Sequence, residues 1–148
     1  MLPKHFKFHI VNNTGVTIEF NTDDANNTFT IKAEGWKLTS AGALEFHGSE
    51  DTWFADPTAD LADGSSAEAA SAVDNSSDLF LGAHCIASLV TDAATNGSLD
   101  IFVEYATDGG TTYPSDAADF DAEEDLILVA SIKCGTTTED RTVNFEVE

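Results

Sequence analysis

The chain has 148 residues, 42% of them apolar, with 27 Asp and Glu against 6 Lys and Arg and a formal net charge of −21. That length suits one ordinary domain able to bury about two thirds of its unfolded surface, and that charge repels nucleic-acid phosphates and anionic membranes, which argues against both as partners. With no run of about 18 apolar residues and no charged-then-apolar leader, the sequence predicts neither a membrane-spanning helix nor a cleaved secretory signal.

The charge is unevenly spread. Residues 1–50 hold four Lys and six acids, whereas residues 51–148 hold two basic residues and 21 acids. The first third is therefore the side expected to meet an acidic neighbour, including a second copy of the chain.

Along the chain, residues 1–11 alternate Phe6, Phe8 and Ile10 against Lys7 and His9, the period-two pattern of a strand. A turn at Asn12-Asn13-Thr14-Gly15 followed by Val16, Ile18 and Phe20 predicts a hairpin back onto that strand. After a polar loop over residues 21–27, a third strand carries Phe29, Ile31 and Ala33. Glu34-Gly35 reads as an interruption, after which Trp36 and Leu38 resume the pattern. A turn over Thr39 to Gly42 leads to a strand with Leu44 and Phe46 on its apolar face.

From Ala55 to Asp78 the chain turns small and acidic. With almost no large apolar side chains to offset the entropy of ordering, this predicts a long surface loop, within which Ala and Glu favour a short helix over Ser66 to Ala72. Leu79 to Thr91 is continuously apolar and reads as a central strand covered on both faces, with Gly82 a candidate bulge.

Ser98 to Tyr105 alternates Leu99, Ile101, Val103 and Tyr105 against Asp100, Phe102 and Glu104. It runs into Asp108-Gly109-Gly110, whose residues suit the positive φ angles of a tight turn, so a hairpin with a second strand from Thr111 is expected. Ser115 to Asp125 is an acidic connection. Leu126 to Cys134 and the segment with Val143, Phe145 and Val147 supply the last two strands.

About eight or nine short strands with turn signals between them predict an all-β fold, an antiparallel β-sandwich or jelly roll in one domain. The expected core is Phe6, Phe8, Ile10, Ile18, Phe20, Ile31, Trp36, Leu44, Phe46, Leu81, Ile86, Ile101, Val103, Tyr105, Leu128, Ile132, Val143 and Phe145. Cys85 and Cys134 read as buried free thiols, with a disulfide between adjacent strands as the alternative.

Catalytic chemistry finds little footing. His5, His9, His47 and His84 are scattered, no nucleophile turn is present, and His84 and Cys85 point to opposite faces of one strand. The sequence therefore predicts a protein that is not an enzyme and has no catalytic residues. The acidic run from Asp119 to Asp125 offers oxygen ligands of the kind Ca²⁺ prefers, but lacks the glycine and ligand spacing of an EF-hand loop. A solvated loop without metal or cofactor is the better reading. Phe102 on the wet face of its strand, and Trp53-Phe54 just before the acidic loop, read as outward aromatics suited to an interface, with a core on the second face of the sheet as the equal alternative for Phe102.

Residues 106–113, ATDGGTTY, resemble the Asp-box, a hairpin motif of sialidases and other β-proteins. Asp108, Gly110 and Thr112 match its spacing, while Ala106 and Tyr113 replace its Ser and Trp. The resemblance implies a turn device in which Asp108 accepts backbone N–H bonds and Tyr113 packs back onto the sheet, with Asp108, Gly109 and Gly110 structural.

On a larger scale, TFTIKAEGWKLTSAGALEF (28–46), DNSSDLFLG (74–82) and GSLDIFVEYATDGGTTYPSD (97–116) resemble small structural proteins of tailed bacteriophages. The resemblance implies a β-rich virion component such as a capsid decoration (cement) protein or a small tail-associated protein. The expected partners are a major capsid protein and the chain itself, as a homotrimer at three-fold positions. Contact through the N-terminal strand with Lys4, Lys7 and His9 is expected, with residues 55–78 meeting neighbouring subunits. The alternative is a carbohydrate-binding module on a tail or fibre, using Trp53 or Tyr113.

Overall fold

A computed structural model describes residues 2–20, 27–91, 96–108, 110, 112–118, 120–135 and 139–148. Gly109, one of the three turn residues singled out above, lies outside these, as does Asp119. Ten strands are present: β1 (His5–Asn13), β2 (Thr28–Leu38), β3 (Leu44–Phe46), β4 (Asp51–Phe54), β5 (Ser66–Glu68), β6 (Val73–Asp74), β7 (Gly82–Thr91), β8 (Ser98–Tyr105), β9 (Ile127–Lys133) and β10 (Glu139–Val147). A 3₁₀ turn (Pro114–Asp116) and one short helix, α1 (Ala122–Asp125), complete them.

The strands form two antiparallel sheets, as the alternation predicted. The first runs β5-β1-β8-β9, with β6 also on β1; the second runs β10-β7-β2-β3, with β4 also on β2. Between them lies the core, built on Phe6, Phe8, Ile10, Ile101 and Val103 from one sheet and Phe29, Ile31, Ala87 and Leu89 from the other. Phe8 crosses the gap to Phe145 with ring centroids 6.2 Å apart.

Each sheet has one outer edge divided between two short strands, β5 and β6 on β1, β3 and β4 on β2. Short, interrupted edges leave room for only a short stretch of added strand. This arrangement also corrects the reading of residues 55–78. The segment is laid along β1, with His9–Val11 paired to Ser66–Glu68, and it buries Leu61, Ala69 and Asn75. Ser66 to Glu68 is strand instead of helix, because the open edge of β1 supplies hydrogen bonds that outweigh the modest helix preference of Ala and Glu.

The predicted hairpin after β1 does not form. Asn12 holds the turn from inside, its amide donating to the carbonyls of Val16 and Leu61, both at 2.7 Å. The chain then crosses to Leu61, with which Ile18 makes an isolated bridge.

β2 runs unbroken through Gly35, where an added Cβ would stand 2.4 Å from the Phe80 ring. The glycine makes room for that ring; it does not reset the strand. Gly82 is no bulge either: it pairs with Trp36, whose indole would lie 2.6 Å from an added Cβ.

Candidate docking surfaces

The two sheets share an inner core but differ on their outer faces. On the first sheet, the outward residues of β1 and β8 are covered by residues 113–118 and 120–126, which take in the described part of the acidic connection read at Ser115 to Asp125. Its apolar residues Ala122 and Leu126 are buried with Val11 and Phe102, and Phe120 packs against them. Phe102 is 5% exposed, so of the two readings of this residue the core on the second face holds and the outward interface aromatic does not.

Beneath this cover sits a polar cluster. His9 Nε2 lies 2.6 Å from a Glu104 carboxylate oxygen, with both side chains almost fully buried. Glu104 also accepts from the backbone N–H of Ser115 at 3.0 Å and its hydroxyl at 2.8 Å. A buried carboxylate needs such donors, since leaving it unpaired costs several kcal/mol, on the order of 3–5. Lys7 bonds Glu68 at 3.1 Å and stands 4.5 Å from the Tyr113 ring centroid. Lys7 and His9 are thus engaged within the fold, and of the three expected N-terminal contact residues only Lys4 is exposed.

His9, Glu68 and Glu104 bring one ligand atom each within 4.8 Å of one another, so these residues could hold a metal ion. The Lys7 ammonium already neutralises Glu68, however, and the His9–Glu104 contact closes the space between two of the three atoms. The acidic run that suggested Ca²⁺ is folded on itself: Asp121 caps α1 by accepting from the Glu123 N–H, Asp125 accepts from the Asp121 N–H, and Glu123 accepts from Asn13.

The turn before the cover behaves as the Asp-box resemblance implied. Asp108 accepts from the Thr112 N–H at 2.8 Å and hydroxyl at 2.7 Å, and Gly110 has φ +110°. Tyr113 tucks in at 6% exposure, and its phenol, its pKa raised by burial with the Lys7 ammonium opposing, has no hydrogen-bond partner among the described residues for its buried oxygen. No strand follows, which corrects the predicted hairpin: Pro114 opens the 3₁₀ turn, and β8 pairs with β1 and β9 instead.

On the second sheet no described segment covers the outer face, which is bare among the described residues. Cross-strand pairing sets Trp36 opposite Phe46 and Leu38 opposite Leu44, and Leu38, Leu44 and Phe46 are 52%, 55% and 45% exposed. Trp36, Leu44 and Phe46, with His84 and Glu146, an exposed pair 3.2 Å apart, border a shallow depression of about 250 Å³. Ile86 adds a further exposed apolar group. Trp36, Leu44, Phe46 and Ile86 were expected in the core and are corrected to the outer surface. Leu128 moves outward as well, because β9 is an edge strand whose register shifts opposite Ile101 and Phe102.

Trp53 and Phe54, expected outside, point inward. The β2–β4 register skips a residue, pairing Ile31 with Phe54 but Lys32 with Thr52, and such a bulge lets two successive side chains enter the same space. Trp53 lies 5.3 Å from Phe6 and 6.3 Å from Phe8, while Phe54 lies 5.2 Å from Phe29. One side of Trp53 remains open to a cleft of about 360 Å³ between β4 and β6.

Cys85 and Cys134 are buried and unbridged, and His84 is exposed while Cys85 is buried, as alternation along a strand requires. Comparison with known protein families, curated proteins and solved structures finds no match.

Proposed function

We propose that this chain is a non-enzymatic structural protein of a tailed-phage particle, a capsid decoration protein that docks on the shell through the bare face of its second sheet. The single observation that carries the reading is the apolar band of exposed Leu38, Leu44 and Phe46 beside half-buried Trp36, on a folded domain whose other outer face is covered. Contiguous apolar surface rimmed by polar groups is what the centre of a protein interface is made of. The band lies on β2 and β3, within the least acidic third of the chain, and Lys32 is exposed on the same side of β2. That favours an acidic shell surface as the occupant. The likeness of residues 28–46 and 97–116 to small phage structural proteins supports the same reading.

The mechanism is mechanical. Burying this band across a boundary between capsomers, with the chain as a homotrimer, raises the cost of separating them. The N-terminal strand contributes little to this contact, since Lys7 is bonded to Glu68 and His9 is buried against Glu104.

The test is occupancy of purified shells imaged by electron microscopy. Wild-type protein is expected at regular surface positions, and the variant L44E/F46E is expected to be absent from shells while melting as the wild type does. No density on the shell, or unchanged occupancy of the variant, would overturn the proposal.

A further inference from the structure

The cleft between β4 and β6 is separate from the bare face and has its own chemistry. Its floor is aromatic, formed by Phe6, Trp53, Phe54 and Phe80, and its rim carries Asp51, Asp74 and Asp78 with no Lys or Arg among the lining residues. Asp74 is held as an anion by the Ser76 N–H, which donates at 2.8 Å and, with the Ser76 side chain, keeps the carboxyl below its ordinary range. Two free strand edges flank the space. Among the described residues β4 pairs only with β2 and β6 only with β1.

We propose that this cleft receives an extended segment of a partner protein bearing an arginine or lysine side chain, its aliphatic stem over Trp53 and its charged head among Asp51, Asp74 and Asp78. Three features of the cleft agree on that occupant. An open strand edge gives an extended backbone its hydrogen bonds, and flanking pockets then select side chains. A long basic side chain lays its apolar stem on an aromatic surface while its head stays with carboxylates. The volume is in the range of about 300–1,000 Å³ typical of sites that enclose a ligand. A sugar would use the aromatic floor but neither strand edge, and Trp53 already spends one ring face on Phe8.

The proposal does not depend on the docking of the bare face and is tested without a shell. The chain has two tryptophans, so a Trp36→Phe background leaves Trp53 as the reporter. Its fluorescence is titrated with the acetylated, amidated pentapeptide Ser-Arg-Val-Arg-Ser. Saturable binding is expected, weakened at least tenfold by D51N/D78N and less than twofold by D140N/E124Q, which removes the same charge from exposed acids elsewhere. Equal weakening by both pairs would reduce the effect to general charge attraction and overturn the proposal. So would absence of saturation, or glycan-array binding that is lost in Trp53→Ala while the peptide leaves Trp53 emission unchanged.

Discussion

The outer faces of the two sheets start from the same local pattern and finish differently. Each is the alternate row of an amphipathic strand with aromatic residues in it: Phe102 on β8, Trp36 on β2 with Phe46 across from it on β3. On the first sheet, residues 113–118 and 120–126 return over the face and bury Phe102 above the His9–Glu104 pair. On the second, no described segment returns, and Leu38, Leu44 and Phe46 stay about half exposed. The difference lies outside both strands, in the connection between β8 and β9. An apolar side chain on an outer face therefore becomes core or interface according to what the chain does elsewhere.

The largest effect expected from breaking this contrast is at Glu104. Glu104→Ala leaves the His9 ring and the Ser115 N–H buried without their acceptor, a loss of about 3–5 kcal/mol by analogy with other broken buried pairs. Urea denaturation would measure it. Hydrogen exchange should show the cover opening first around Ser115, where Glu104 ties it to the sheet. Loss of stability with protection in the cover unchanged would mean that Phe120, Ala122 and Leu126 hold it without the polar anchor.

A matched pair of truncations sharpens the comparison. Phe102→Ala, in a buried position, should cost about 3 kcal/mol or more, while Phe46→Ala, on the bare face, should cost within about 0.5 kcal/mol. Chemical denaturation of both variants gives the difference directly. Similar losses would show that the bare face contributes to folding as a core does, and would remove the basis for reading it as a docking surface.

Much of the sandwich was legible because alternation is a local property, read off Phe6-Phe8-Ile10 or Ile101-Val103 without knowledge of the partner strand. Parity is equally local, and it contained the bare face as well. Counted straight through Gly35, Phe29, Ile31 and Ala33 fall on one side of β2 and Trp36 and Leu38 on the other. Treating Gly35 as a break reset the count and placed Trp36, Leu44 and Phe46 in the core. The cleft could not be read in this way, because the register shift that turns Trp53 and Phe54 inward together is a property of the β2–β4 pair. The cover over β8 had a fainter signal: Phe120, Ala122 and Leu126 are apolar residues in an otherwise acidic run, and their spacing makes sense only with Phe102 and Val11 beneath them. Residues 55–78 looked unstructured for a related reason, since the edge of β1 that orders them lies more than fifty residues away in sequence.

The smallest effect concerns how well a bare sheet protects what lies under it. Cys85 is on β7, the central strand of the second sheet, and its thiol is pushed up from 9.0 to about 12 by burial, with the Glu146 carboxylate adding to the shift. The native protein thus holds this proton more tightly than the unfolded chain, so the associated stability is fully present below pH 9 and is lost as pH rises from 9 toward about 12. Denaturation across that window should fall more steeply for the wild type than for Cys85→Ala. At pH 8 a buried, protonated thiol is a poor nucleophile, so iodoacetamide should label Cys85 in the native protein no faster than the molecule unfolds globally. Faster labelling would mean that β7 opens locally beneath its uncovered face. The contrast between the sheets would then be one of stability as well as exposure, and docking would be expected to slow that labelling.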